Sequence, residues 1–549
     1  MGFSDYKSTF KGDLTGGLTA AIIALPMGLA FGLQSGLGAE AGMYTAIILA
    51  IIASIVAGTK TLISDPTGPM TIVAATIVHS AISLPNNNSL DDALPIIIAT
   101  FALAGIFQIV FGLINISKYV KYISYPVLSG FMGGIGVIII LFQWHNFFGE
   151  KTPKGIINII SHLPDPVIHH HWSSIILGGT TLLLIYLIPL ISKKLPAGLI
   201  ALISATVVSL FMDETSFLVI GKIPSDLPSL KLEFLSTLKI SDLSMITISA
   251  LTLAGLGTID TLLTSVVADN ITKTKHNGNR ELIGQGIGNF VSALFGGLPG
   301  AGSTTGTVAN INSNGRSNLS GILKGLFLII ILLGFSNYVR VIPIPVLSAL
   351  LISVGIGIID FKGIKRLIKL RNSDTFVLLV VITITIFADL LIAVGVGMVI
   401  SSFFFMQKMG EIVNQRSKKG NLIDLEKKLK LPETLQNRIF DFELEGPLFY
   451  GFSDQFKSQA EKIVDKDAVI INMSNVPYID ASGIYVLEEI ITNFKAKSID
   501  VIVVGINDHI FKQFQELELI PSILPEENAY NSVRAGVKYL KYKFEKKNN

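Results

Sequence analysis

The chain has 549 residues, half of them hydrophobic and only 15% charged, with a mean hydropathy of +0.60. A soluble protein of this length needs far more polar surface, so the composition points to a polytopic membrane protein. A net charge of +3 is too small to suggest nucleic acid, and the absence of cysteine excludes disulfides and thiolate chemistry.

The opening MGFSDYKSTFKGD is polar and short, and no cleavable signal peptide is expected. Apolar runs near the roughly 20 residues that cross a bilayer follow at about 14–34, 42–58, 93–116, 125–148, 172–191 and 196–212. A second series covers about 244–268, 281–296, 318–336, 342–360, 374–389 and 390–407. Two further segments are too short or too broken to be ordinary spans: SDPTGPMTIVAATIVHSA from Ser64 and GLPGAGSTTGTVANIN from Gly297. Counting both as interrupted helices gives fourteen spans, with both termini on one side. Fourteen basic residues, from Lys60 and Lys118 through Lys193, Lys194 and on to Arg371, fall in loops on the N-terminal side. Six (Lys151, Lys154, Lys222, Lys231, Lys239 and Arg340) fall opposite, so the positive-inside rule makes both termini cytoplasmic.

Several local features have bland readings. Gly130 and Gly134 are spaced for close helix packing. His169, His170 and His171 lie in an outer loop with no Cys or carboxylate cluster at ligand spacing, and read as an interfacial polar loop rather than a metal site. Arg280 and Glu281 are expected to start the ninth helix, with the acid near its N-terminus. Asp389 reads as a turn residue between two close spans, with a gating role as the alternative. After Phe405 the composition shifts. Residues 408–437 form a charged connector, and from Arg438 short apolar strands (AVIINMSN, DVIVVGIN) alternate with helical stretches such as GIYVLEEIITNFKAK, the pattern of one small α/β domain over 438–549.

An internal repeat ties the two broken segments together. PTGPMTIVAA (66–75) and AGSTTGTVAN (301–310) lie 235 residues apart. Both run from small or turn-forming residues through hydroxyls into a short apolar helix start. The same shift sets Leu25, Pro26 and Met27 against Asp260, Thr261 and Leu262. Unpaired backbone at membrane depth is tolerated only where it lines a cavity or is buried in protein. Paired interrupted segments in two halves mark a transporter with inverted repeats and a midplane site. Two opposed half-helices would aim their N-terminal N–H groups at one point, where an anion is favoured.

Asp260 sits in the apolar run LTLAGLGTIDTLLTSVVADN. An isolated ionised carboxylate at bilayer depth costs roughly 2.5–3.5 kcal/mol even on the lenient insertion scale, so it should face protein, water or a cation. Thr264 lies one turn on, on the same face. Hydroxyls and backbone carbonyls of Gly302, Ser303 and Thr304 offer the remaining oxygens of a shell suited to Na⁺. Read so, Asp260 holds Na⁺ beside an anion between the half-helices, and the cation offsets a charge that would otherwise repel the substrate. A structural, hydrogen-bonded Asp260 and a proton-carrying Asp260 are the alternatives.

The stretches GDLTGGLTAAIIALPMGLAFG (12–32), ISDPTGPMT (63–71), TIDTLLTSVVADNIT (258–272), NRELIGQGIGNFVSALFGGLPGAG (279–302) and YIDASGIYVL (478–487) resemble the SulP family of anion transporters. Within it, the chain is most similar to the cyanobacterial sodium-dependent bicarbonate transporters of the BicA type. The resemblance implies a polytopic α-helical membrane protein of 14 transmembrane segments as two inverted seven-helix repeats, about 12–212 and 243–407. It also implies a core domain moving against a gate domain, and homodimers. It places the cation at Asp260, Thr264 and the 302–304 backbone, and the anion near Thr67, Ser303 and Thr304. One departure concerns the anion: many members carry Arg where this chain has Gly306, and without that charge a monovalent anion with Na⁺ is favoured over sulfate.

The C-terminal domain resembles cytoplasmic STAS domains. In the antagonist branch of that family the Ser of a D-x-S-G motif is phosphorylated, which here is Ser482 within Asp480-Ala481-Ser482-Gly483. The simpler reading is that Asp480 and Ser482 cap the following helix. A nucleotide or a regulatory protein could also bind there. No catalytic constellation is present: there is no nucleophile elbow, Walker A loop or zinc-protease helix. The expectation is a secondary transporter of the cytoplasmic membrane, with no cofactor beyond Na⁺ as coupling ion, that takes up a small inorganic anion (bicarbonate first, sulfate second) by alternating access. The alternatives are a proton-coupled sulfate or dicarboxylate permease and a non-transporting STAS-linked receptor or scaffold.

Overall fold

The computed structural model describes residues 3–547 except 85–88, 154, 193–195, 214–216, 221–227, 233–241, 389, 418–437, 450–456, 459, 462 and 464. Asp389, the loop residues Lys154, Lys193, Lys194, Lys222 and Lys239, and most of the charged connector lie outside the described residues. The chain divides into two compact units, Met1–Val399 and Ile400–Asn549.

In the first half of the first unit run α1 (Phe3–Gln34), α2 (Ala39–Val56), α3 (Gly68–Ile82), α4 (Leu90–Leu113), α5 (Tyr125–Phe148), the short α6 (Ile156–Ser161) and α7 (Asp165–Ile168), α8 (Trp172–Ile191) and α9 (Ala197–Ser209). The second half holds α10 (Leu243–Thr272), α11 (Gly278–Leu294), α12 (Thr304–Asn312), α13 (Leu319–Val339), α14 (Ile344–Ile358), α15 (Phe361–Leu370), α16 (Ser373–Phe387) and α17 (Leu390–Ser417). The last of these continues ten residues beyond position 407, into the stretch read as connector. Seven of the described helices are long and apolar enough to cross a membrane, and α14, from which the basic α15 bends away by 40° at a break, supplies an eighth. The shorter apolar helices α3, α9, α13 and α16, with α11 and α12, complete fourteen spans in two inverted repeats of seven.

Packing shows how the halves interlock. α1 and α2 of the first half lie against α13 of the second, while α10 and α11 of the second lie against α4 of the first. Each repeat thus lends its first two helices to the fourth of the other, as a two-fold axis in the membrane plane requires. A separate group is built from α5 against α14 and α16, with α14 also against α8 and α8 against α9. These two groups are the core and the gate. Gly130 and Gly134 serve close packing: a Cβ on Gly130 would stand 2.9 Å from the Leu378 carbonyl oxygen, and one on Gly134 2.6 Å from Thr385 Cβ.

Two extended segments precede the short helices, β1 (Ser64–Asp65) before α3 and β2 (Ala301–Gly302) before α12. They pair antiparallel, Ser64 with Gly302 and Asp65 with Ala301, so the non-helical backbone of one repeat satisfies that of the other. Side chains hold the crossing from outside. Asn289 Nδ2 donates to the Gly300 carbonyl at 2.9 Å while its Oδ1 accepts from the Gly300 N–H at 2.8 Å. Thr307 Oγ1 accepts from the Ile63 N–H at 3.0 Å, and Asn310 Nδ2 donates to the Thr61 carbonyl at 2.9 Å. Glu281 lies in the first turn of α11 but is fully buried rather than a plain helix-start charge. Its Oε2 accepts from the backbone N–H groups of Gly58 and Thr59 at 2.9 and 2.7 Å, which fixes the loop between α2 and β1.

The second unit carries β3 (Ile439–Glu445), β4 (Ala468–Asn475), β5 (Asp500–Val504) and β6 (Ala529–Tyr530), paired in that order and all parallel, with α18 (Ala481–Ala496), α19 (Asp508–Glu516) and α20 (Val533–Lys547). The helical spacing of Ile484, Leu487, Ile491 and Phe494 puts one face of α18 into a core with Phe442, Val469, Val501 and Phe514. On the opposite face of the sheet Ile439, Ile470 and Ile502 pack with Val537, Leu540 and Phe544 of α20. Being buried on both faces explains why β4 and β5 read as unbroken apolar runs.

Candidate functional site

The two short helices begin at the crossing. Thr67, extended at φ −116°, precedes α3, whose first turn contains Pro69 at a position where a missing N–H costs nothing. Ser303 precedes α12 and caps it, with its Oγ accepting from the Gly306 N–H at 3.2 Å. The two caps differ. Thr67 makes no side-chain cap bond to its own helix; its hydroxyl donates to Asp260 Oδ2 on α10 at 2.7 Å.

Asp260 is 8% exposed, the one carboxylate among the described residues that line a cavity of about 410 Å³. One wall of that cavity is Met27 and Phe31 of α1, Thr67 to Pro69, and Gly302 to Thr305. The facing wall is Met132 of α5 with Ser353, Val354, Gly357 and Ile358 of α14. The site therefore lies between core and gate. Behind the wall, Thr264 Oγ1 donates to the Gly302 carbonyl at 2.8 Å and stands 2.8 Å from Thr304 Oγ1. The neighbouring Thr261 Oγ1 accepts from the Gly302 N–H at 3.1 Å. Asp260, Thr264, Gly302, Ser303, Thr304 and Thr67, far apart in the chain, are thus brought together. Carboxylate, hydroxyl and carbonyl oxygens are a donor set suited to a hard cation. The backbone N–H groups of Gly68, Thr304 and Thr305 have no partner within their own helices and offer donors to an anion.

Sequence reasoning missed one feature at the crossing. Lys324 of α13 is fully buried and donates to the Ala46 and Ser64 carbonyls, both at 3.0 Å, and to the Asp65 carboxylate. A lone lysine inside an apolar run is the signal that could have found it. Gly306 adjoins this pair: a Cβ there would stand 3.2 Å from Asp65 Oδ2 and 3.1 Å from Ile63 Cγ2. In the STAS-like unit, Asp480 alone is the N-cap of α18, its Oδ1 accepting from the Gly483 N–H at 2.7 Å. Ser482 is the second helical residue, half-buried, and not a cap because the helix has already begun at Ala481.

Comparison with known proteins gives a consistent picture. The sequence profile of the Sulfate permease family matches residues 10–381, and that of the STAS domain matches residues 432–536. The bicarbonate transporter BicA of Synechocystis sp. is 37% identical over 489 residues, 88% of this chain and 85% of that protein. The solved transmembrane domain of a cyanobacterium bicarbonate transporter BicA aligns with a TM-score of 0.65 at 41% identity, covering 72% of this chain and 98% of that one. The overall structure of SLC26A9 aligns with a TM-score of 0.81 at 19% identity, over 98% of this chain and 91% of that one, a likeness of fold.

Proposed function

The chain belongs to the sulfate permease family and ends in a STAS domain; it is an anion transporter and not an enzyme, and we propose that it takes up bicarbonate coupled to Na⁺. The observation that carries this reading is the Asp260–Thr67 hydrogen bond, which joins a carboxylate on α10 to the start of α3 at the cavity. The oxygens of Thr264, Gly302 and Thr304 lie alongside. Na⁺ held by Asp260, Thr264 and the Gly302–Thr304 segment would neutralise the carboxylate. The anion would then sit against Thr67, Ser303, Thr304 and the two helix ends.

Charge supports a monovalent anion. Each helix N-terminus carries about +0.5 of an elementary charge, so the two together amount to about +1. Na⁺ and Asp260 cancel, and so do Lys324 and Asp65. One bicarbonate closes that balance, whereas sulfate leaves an excess negative charge that Gly306 does nothing to meet. Relatives named bicarbonate transporters support the same substrate. Access would alternate as the core carries the site past α5 and α14, with both termini cytoplasmic.

The test is uptake of labelled bicarbonate into proteoliposomes of the purified protein, with and without an inward Na⁺ gradient, beside labelled sulfate. Na⁺-driven bicarbonate uptake is expected. Sulfate uptake driven by a pH gradient would overturn the assignment and make Asp260 a proton carrier.

A further inference from the structure

Helix α15 plays no part in the cavity, yet its composition is extreme. FKGIKRLIKL contains Lys362, Lys365, Arg366 and Lys369 and no acidic residue, and Arg371 follows. With about 100° between successive residues, it divides into three sectors. Gly363 and Leu367 are buried against the protein. Phe361 and Ile368, two turns apart on one side, are 58% and 47% exposed. The four basic residues, all exposed, fill the sector beside them. Asp360 pins the helix start: its Oδ1 accepts from the Gly363 N–H at 2.9 Å, and Tyr125 and Ser129 of α5 donate to its Oδ2.

A second cluster adjoins the first. The 3-10 turn Ile116–Tyr122 leads into α5 and carries Lys118, Tyr119, Lys121 and Tyr122. Tyr119, Tyr122 and Tyr125 are all more than half exposed, and the Tyr125–Asp360 bond ties the end of this segment to the start of α15. Lys118 and Lys121 each lie about 5 Å from the ring of the following tyrosine. Because α15 joins two spans, it stays at the membrane surface, on the side of the N-terminus by span count. Exposed tyrosines at that level, with a basic sector flanking an exposed apolar one, are the features of a helix lying in the interfacial plane.

We propose that α15 and the turn before α5 form a binding surface for anionic phospholipid headgroups. Phe361 and Ile368 enter the acyl boundary, and the lysines and Arg366 meet the phosphates. Only Ile359 and Asp360 separate α15 from α14, whose Ser353, Val354, Gly357 and Ile358 form one wall of the cavity. Headgroup binding therefore anchors that wall and raises transport turnover.

The chain has no cysteine, so Phe361→Cys gives a single site for an environment-sensitive fluorophore on the full-length protein. The labelled protein is reconstituted in brominated phosphatidylcholine, alone or with one third phosphatidylglycerol. Bromine should quench the probe, more strongly with phosphatidylglycerol present. Lys365→Gln with Lys369→Gln should erase the difference, while Lys365→Arg with Lys369→Arg should keep it. Each charge removed should weaken the lipid dependence about fivefold, the value of one basic residue at an anionic surface. Unlabelled protein should transport faster in the phosphatidylglycerol vesicles at unchanged apparent KM. A probe quenched by aqueous iodide and not by bromine, one shielded from both, or quenching equal in the two membranes would overturn the proposal. The lipid-contact reading stands on quenching alone, so it remains decidable if the transport reading that the turnover arm rests on fails.

Discussion

Replacing Lys324 by Met tests the crossing directly. The lysine is 0% exposed, its Asp65 partner 5% by side chain, and the ammonium donates to that carboxylate and to the carbonyls of Ala46 and Ser64. Methionine keeps the volume and removes the charge. What is lost is mainly the compensation of a carboxylate that stays buried, which costs about 3–5 kcal/mol when one partner of such a pair is deleted. Because the cost lies in the orphaned Asp65, adding Asp65→Asn to Lys324→Met should return most of it, since replacing both partners is often close to neutral. The assay is thermal unfolding of the purified protein in detergent for wild type, both single variants and the double variant. A Lys324→Met protein that melts with wild type would refute the reasoning. So would a double variant no more stable than the single one.

Asp260→Asn should leave uptake the same with and without a Na⁺ gradient; Na⁺ stimulation persisting in that variant sinks the cation assignment. Gly306→Arg brings a fixed positive charge beside Asp65 and between the helix ends, and like charges a few ångströms apart at an effective dielectric of 20 repel by several kcal/mol. The half-saturating Na⁺ concentration should rise by about tenfold or more, and an unchanged value counts against the geometry. In the STAS unit, burial and then the nearby Glu443 push the Asp441 carboxyl up from 3.8 to about 7. The unfolded chain ionises this group near pH 4 while the folded one holds its proton. The unit's stability should therefore fall between about pH 4 and 7 and level off above, by up to about 4 kcal/mol. Asp441→Asn should flatten that slope in unfolding of the full-length protein, and parallel pH profiles for variant and wild type would disprove it.

The spans were legible because hydropathy is a property of long windows. The short helices were legible because Pro66, Gly68 and Pro69, and Gly297 to Gly302, break the helical pattern in both repeats. The repeat shift then set Thr67 against Gly302, one residue short of the cap Ser303, and pointed from the first span to Asp260. Two kinds of information stayed hidden. Lys324 was absorbed into the average of an apolar run, and its partner Asp65 looks like any residue of a turn. Their meeting joins positions 259 apart in the chain, which no local period encodes. Thr67 was read as facing the anion, but whether its hydroxyl turns toward its own helix or toward Asp260 depends on how α10 lies across α3. Ser482 illustrates the one-residue limit of cap reading: Asp480 caps the helix through the Gly483 N–H, so the serine falls inside the helix.

The β1–β2 pairing also limits what can move. Only two residues on each side pair, but Lys324 ties Ser64 to α2 and α13, and Asn289, Asn310 and Thr307 tie the residues flanking the strands to α11 and α12. Separating α3 from α12 would strip hydrogen bonds from backbone with no water to replace them. Both ends of the binding pocket are therefore locked into one rigid body, and release by parting them is closed off. Under the proposed alternating access, a bound ion would change sides by riding with that body past the facing wall of Ser353, Val354, Gly357 and Ile358. Of that wall only Ser353 and Gly357 are small, so bulk introduced at Gly357 would act as a brake on such sliding while leaving the binding groups intact.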